Sequence, residues 1–369
     1  MNNSILKRYF PMIRNRREIL LEISQKPLLN TMYQKWSPEQ QNEFLDFCTG
    51  MRGCKVMYDP FFKQVMNPDL HPERLEGFLS NLLNKRVKIL QVLPNESRMA
   101  AEDSLLIMDI VVEMEDGSIA DIEMQKFSYS FPGQRSSCYS ADLLLRQYQR
   151  VKTDLHSQET KFSYRYIKDV YTVVLFEHSP AMCRDFPNDY IHCGRVRFDT
   201  GLPVPMPQEY IYIPLDIFRG ILHNRGITSD MDAWLTFLCE DEPEMIELLI
   251  RQYPYFRDLY NDLYRLCENL EDIMGYYSEA LQKMDKDTVQ YMIEEQQNTI
   301  EKQQNTIEEQ QNTIEEQQNT IGEQRNAIGE QQDVIKERDV AIEKLRSDKE
   351  KNLARIAELE KMLAEKTGD

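Results

Sequence analysis

Residues 105–127 read LLIMDIVVEMEDGSIADIEMQKF, two alternating runs on either side of Asp116-Gly117. Strand side chains alternate between faces with period two. Leu106, Met108, Ile110, Val112 and Met114 therefore share one face of the first run, and Ala120, Ile122 and Met124 share one face of the second. Setting both apolar sets against a core determines the register. A two-residue loop would oppose Asp109 to Met124 and mix the faces. A three-residue loop, Glu115-Asp116-Gly117 with Gly117 left-handed, pairs Met114 with Ser118, Met108 with Met124, Ile110 with Ile122 and Val112 with Ala120. The three-residue loop is the expectation. It places Asp109 opposite Glu123 on the second face, with Gln125 two residues along. Glu113 and Asp121, on the same face, are expected to meet solvent.

The flanking pattern is helical and then extended. Pro72 suits the first position of a helix, and Leu75, Phe78, Leu79, Leu82 and Leu83 follow with helical spacing. A strand is expected at VKILQVL, then the hairpin, then a helix from about Gln134 through SSCYSADLLLRQYQRVK. VYTVVLFE, residues 170–177, has the unbroken apolarity of a buried strand. The order is helix, three strands, helix, strand. Residues 180–215 are proline-rich, with one strand expected at YIYIPL. From Met231 to about Asp285 the chain reads as helical, with Trp234, Leu235, Leu238, Ile246, Leu249 and Ile250 on apolar faces. Residues 1–55 are charged and helical in character, with Ile19, Leu20, Ile23, Leu28 and Leu29 available to dock on a neighbour.

A different pattern begins near residue 290. Ile293, Ile300, Ile307, Ile314, Ile321, Ile328, Ile335 and Ile342 recur every seven residues, largely within copies of QQNTIEE. A strict heptad implies a left-handed coiled coil. With Ile at position a, however, position d holds Gln303, Gln310, Gln317 and Gln324, which makes a weak seam. Gly322 and Gly329 each cost about 1 kcal/mol relative to Ala in a helix interior. Beyond Leu345 the seam improves, with Leu353, Ile356, Leu359 and Leu363. The expected organisation is 1–55 as a helical extension, 56–230 as an α/β core, 231–289 as a helical subdomain and 290–369 as a coiled coil. Self-association through the coiled coil is expected; a single solvated helix is the plainer alternative.

Charge changes the picture only in part. The 369 residues carry a net charge of −18. Residues 286–369 hold 12 Lys+Arg against 20 Asp+Glu, and the other 285 residues hold 32 against 42. An acidic body needs a local basic patch to hold DNA. The seven cysteines are scattered without a C-x-x-C pair, and the five histidines do not cluster. That usage fits a reducing compartment and gives no disulfide framework or zinc site. No run approaches 18 apolar residues and no signal-peptide core is seen at the N-terminus. A cytoplasmic protein with no membrane partner is expected.

Candidate chemistry comes from the hairpin. Directly opposed residues have Cβ atoms roughly 4.5–5.5 Å apart, and two carboxylates so close repel unless a proton or cation lies between them. Hard divalent cations such as Mg²⁺ take oxygen ligands, often one or two carboxylates plus phosphate. Asp109 and Glu123 thus form a candidate metal clamp. The plainer reading is two polar residues on a wet strand face.

The αβββαβ order, Asp109 in IMDIVVE, the triplet Glu123-Met124-Gln125 in DIEMQ and the following GQRSSCYSADLLLRQY resemble the PD-(D/E)XK nuclease superfamily, and within it the recombination-promoting nuclease / putative transposase family. DPFFK, from Asp59 to Lys63, and LDIF at 215–218 add to the likeness, which covers roughly residues 56–285. The resemblance implies an α/β restriction-endonuclease-like αβββαβ core with a mixed central sheet. It also implies Mg²⁺-dependent hydrolysis of DNA phosphodiesters in recombination, transposition or defence. Asp109 and Glu123, helped by the Met124 carbonyl, would hold the metal. Gln125, where the superfamily usually has Lys, would position the water. A carboxylate from the first helix is often added, and Glu76, which borders the apolar stripe, suits that place better than Glu73. Arg135, Arg146 and Arg150, with Lys152, are candidate phosphate contacts; Tyr139 is a core or supporting residue, and His178 a loop or core histidine. The competing function is a nuclease-like binding or scaffold protein that no longer cleaves.

Overall fold

A computed structural model describes residues 5–94, 108–126, 131–157 and 159–366. Three N-terminal helices, α1 (Arg16–Gln25), α2 (Pro27–Lys35) and α3 (Pro38–Cys48), precede α4 (Asp59–Val65) and α5 (Pro72–Leu82). Then come β1 (Ile89–Leu93), β2 (Ile110–Met114), β3 (Ile119–Gln125), α6 (Pro132–Ser157) and β4 (Val170–Phe176). These five elements with α5 make the expected αβββαβ order. β5 (His192–Arg195), β6 (Gln208–Pro214), α7 (Leu215–Arg225), α8 (Asp230–Cys239), α9 (Pro243–Gln252), α10 (Phe256–Leu266) and α11 (Leu270–Lys366) follow. The mixed sheet has strand order β1-β2-β3-β4-β6-β5. β1, β2 and β3 are antiparallel, β3, β4 and β6 are parallel, and β5 is antiparallel to β6. The parallel β3–β4 pair needs a crossover, and α6 supplies it.

The hairpin register is the one that its apolar alternation requires. Ile110 pairs with Ile122 and Val112 with Ala120. Gly117 has φ +82°, its N–H donates to the Met114 carbonyl at 2.8 Å, and the Met114 N–H donates to the Ser118 carbonyl at 2.9 Å. A left-handed residue at the tip favours glycine, which has no Cβ to clash.

Two expectations about the faces fail. Both faces of the hairpin are buried. One joins the main core through Ile110, Val112, Ala120 and Ile122, the core that also takes in Leu75, Phe78 and Leu79 of α5 and Trp234 and Leu235 of α8. The other, read as wet, lies beneath α6, where Val111 and Ile119 pack with Tyr139 and Leu143. Glu113 and Asp121 are therefore buried rather than solvated. Met108 joins this second cluster, not the first. The chain bends at Asp109 before β2 begins, so strand alternation does not extend to Met108. Leu106 lies outside the described residues. β5 escaped the pattern because HCGR offers no apolar alternation; it is an exposed edge strand.

The chain divides into two compact units, residues 1–295 and 296–369. In the first, the N-terminal helices, the sheet and the helices after Met231 share one core that runs from Leu6 to Leu281. Ile19, Ile23 and Leu29 are buried in it, while Leu20 and Leu28 stay exposed. The second is helical to Lys366, through both Gly322 and Gly329. Its heptad isoleucines are about half exposed, Ile307 at 53%.

Candidate active site

The site forms where β2 begins and β3 ends. The Asp109 N–H donates to Glu123 Oε1 at 2.9 Å, and the Met124 N–H donates to Asp109 Oδ2 at 2.8 Å. The expected opposition of Asp109 and Glu123 thus becomes a reciprocal hold, each carboxylate accepting from the other strand's backbone. Gln125 follows on the Glu123 face, and its buried Oε1 has no hydrogen-bond partner among the described residues. Asp121 lies on the other side of Glu123 along the strand.

Burial dominates the electrostatics. It pushes Glu123, with help from the Asp109 charge, up to about 8. Burial and the neighbouring Glu123 and Asp109 charges push Asp121 well above the usual carboxylate range. Asp109 is also raised by burial, although Lys283 and Lys63 draw it down. An unpartnered set of buried carboxylates keeps protons or recruits cations.

The cations come from two helices distant in sequence. Lys63 Nζ lies 3.2 Å from Asp109 Oδ1, and Lys283 Nζ lies 3.5 Å from it. Both also meet Asp59 Oδ1, at 3.1 Å and 2.9 Å. Asp59 and Lys63 are one turn apart on α4 and so share a face, while buried Phe61, Phe62 and Val65 seat that helix. Ile273, Met274, Tyr277 and Leu281 seat α11. Burial opposes the Asp59 charge, yet Lys283 and Lys63 hold its carboxyl below the ordinary range. Burial likewise opposes the Lys63 charge, and Asp109 and Asp59 raise it nonetheless.

Glu76 is engaged elsewhere. Its Oε2 meets Lys88 Nζ at 2.6 Å, and its Oε1 accepts the Ile89 N–H at 3.0 Å. It holds the start of β1, and the helical carboxylate beside Asp109 is Asp59. Glu73 faces His71 on the surface, at 3.3 Å. DPFFK carried the signal for Asp59 and Lys63 in its i, i+4 spacing; Lys283 had none.

The basic residues of α6 divide. Arg135 lies over the Tyr139 ring, 5.4 Å from its centroid, and its charge acts on Glu123. Tyr139 is buried, and burial together with the Glu123 charge raises its hydroxyl pKa. Arg146 and Arg150, read as phosphate contacts, are tied into the protein. Arg146 Nε donates to Asp142 at 2.5 Å, and its guanidinium also meets the Pro94 carbonyl. Arg150 meets Glu113 and donates to the Gly117 carbonyl at 2.8 Å, fastening α6 to the hairpin. Arg150→Ala should therefore destabilise the protein by about 1–3 kcal/mol in a denaturant melt. If the protein binds DNA, the salt dependence of that binding should stay unchanged; a log–log slope smaller by about 1 would instead identify a phosphate contact. Lys152 lies over the Tyr148 ring and His178 is exposed beyond β4.

Among the described residues, no three His, Cys, Asp or Glu side chains gather closely enough to hold a metal ion. The chemistry of the donors nonetheless fits a hard cation: Asp109, Glu123 and a peptide carbonyl are all oxygen ligands. No described helix is long and apolar enough to cross a membrane. No curated protein and no solved structure matches the chain. Residues 56–296, which span α4 to the first turns of α11 and hold every residue of the site, match the family described as PD-(D/E)XK nuclease family transposase. The αβββαβ core, the mixed sheet and this match together show that the chain belongs to the PD-(D/E)XK nuclease family.

Proposed function

We propose that the protein is a Mg²⁺-dependent endonuclease that hydrolyses DNA phosphodiesters, in recombination, transposition or defence. The observation that carries this reading is the Asp109–Glu123 pair, its two side chains buried and set side by side where β2 begins and β3 ends, with Gln125 next to it. Asp109, Glu123 and the Met124 carbonyl would hold the cation, with Asp59 within the same cluster. When bound, the cation would acidify a water and neutralise charge on the phosphate. The unpartnered Gln125 Oε1 can accept a hydrogen bond from that water and orient it. Being neutral, Gln125 cannot supply the positive charge that a lysine would bring. Arg135, beside Glu123 near the start of α6, is the better DNA contact, since Arg146 and Arg150 have internal partners. The heptad isoleucines would join copies of the chain.

A second reading has one observation in its favour. Lys63 and Lys283 already neutralise Asp59 and Asp109, as in a nuclease-like scaffold that has lost its chemistry. Purified protein incubated with supercoiled plasmid, with Mg²⁺ or with EDTA, decides between them. Nicking that needs metal and falls by at least about 10²-fold in Asp109→Ala supports the enzyme. Absence of nicking by the wild-type chain supports the scaffold.

A further inference from the structure

Each of two carboxylates touches each of two ammonium groups. Lys63 Nζ lies 3.1 Å from Asp59 and 3.2 Å from Asp109. Lys283 Nζ lies 2.9 Å from Asp59 and 3.5 Å from Asp109. The four groups form a neutral ring. A divalent cation drawn to Asp109 would meet no net negative charge there, and an ammonium at its side would repel it. One ammonium has to give way.

The two lysines are not equivalent. Lys63 stands on the same helix as Asp59 and makes two contacts of similar length. Lys283 comes from α11, and its contact with Asp109 is the longest of the four. Its four-carbon stem lets the ammonium swing without moving the helix, and its side chain is 38% exposed, close to the 34% of Lys63, so a route to solvent exists.

We propose that Lys283 is an exchangeable counter-ion, which balances the charges of Asp59 and Asp109 in the metal-free protein and is displaced when a divalent cation binds. Lys283 is then a positioning residue that sets how tightly and how selectively the site takes metal. This inference rests on the metal-dependent reading of the site.

Lysine acylation in the wild-type full chain tests it. An ammonium ion-paired to two carboxylates acylates slowly, and a released one acylates faster. The protein is treated with limiting acetic anhydride, with and without saturating Ca²⁺ or Mg²⁺, and mapped by mass spectrometry. Acetylation of Lys283 should rise at least roughly threefold with metal, and that of Lys63 should change less. In calorimetry, Lys283→Met should bind Mg²⁺ about tenfold more tightly than wild type, and Lys283→Arg should not. Metal binding with unchanged Lys283 labelling, or with Lys63 released in its place, overturns the inference and leaves the nuclease reading standing. Failure of the wild-type chain to bind either metal overturns both. The labelling uses no variant, so the decision does not depend on a substituted chain folding.

Discussion

Glu123→Gln should abolish metal-dependent plasmid cleavage and raise the melting temperature of the metal-free protein. The exchange keeps side-chain shape and removes only the charge. Gln can still accept the Asp109 N–H through its carbonyl oxygen, so the bond between the strands survives. What is lost is an anionic metal ligand, and cleavage should fall by at least about 10²-fold. What is gained is relief of a buried charge. Burial and Asp109 push Glu123 from its ordinary 4.5 up to about 8. Between those two values the folded chain holds a proton that the unfolded chain has released. The stability linked to this group is therefore fully present below pH 4.5 and is lost as pH rises through about 8. The Gln variant lacks that loss. Its advantage in a melting curve should be larger at pH 8.5 than at pH 5, and each kcal/mol should appear as about 2–4 °C. Saturating Mg²⁺ should stabilise wild type more than the variant. Wild-type cleavage by Glu123→Gln would remove Glu123 from the site. A pH-independent difference in melting would show that its charge is not strained in the apo protein.

The second large effect concerns the C-terminal repeat. Deleting residues 290–369 should leave a folded body of lower oligomeric state. The shared core ends at Leu281, with Met284 packed against it, so the deletion removes none of its buried residues. In a single chain the heptad isoleucines remain about half exposed, from Ile293 at 44% to Ile335 at 56%. A line of such residues over many turns is worth covering, at about 25 cal/mol per Å² of apolar surface. The glutamines at position d weaken each layer, and near-identical heptads allow slippage by seven residues. The association should therefore be concentration-dependent. Light scattering across a dilution series measures it, and the same oligomeric state with and without residues 290–369 would show that the repeat is not the assembly element. If the full chain pairs, two nuclease bodies also raise each other's local concentration on one DNA. Truncation should then reduce linear plasmid more than nicked plasmid. An unchanged ratio would leave the repeat without a part in cleavage.

The features legible in the sequence are those that depend on near neighbours along the chain. Apolar alternation around Asp116-Gly117 determined the hairpin register, because a one-residue slip would turn every side chain to the wrong face. That register alone placed Asp109 against Glu123. Unbroken apolarity marked β4, and helical spacing marked α5. Packing between distant elements decided the rest. Glu113 and Asp121 look solvent-facing until α6 closes over them, and no local pattern records which helix covers a sheet face. Glu76 sits well on its own helix, but the packing gives it to Lys88 and gives Asp59 to Asp109. Lys283, 174 residues beyond Asp109, reaches the carboxylates only because α11 docks beside α4. The carboxylates announced themselves by the cost of their charge on a strand. The ammoniums that neutralise them came from helices whose apolar faces, not their lysines, dictated where they lie.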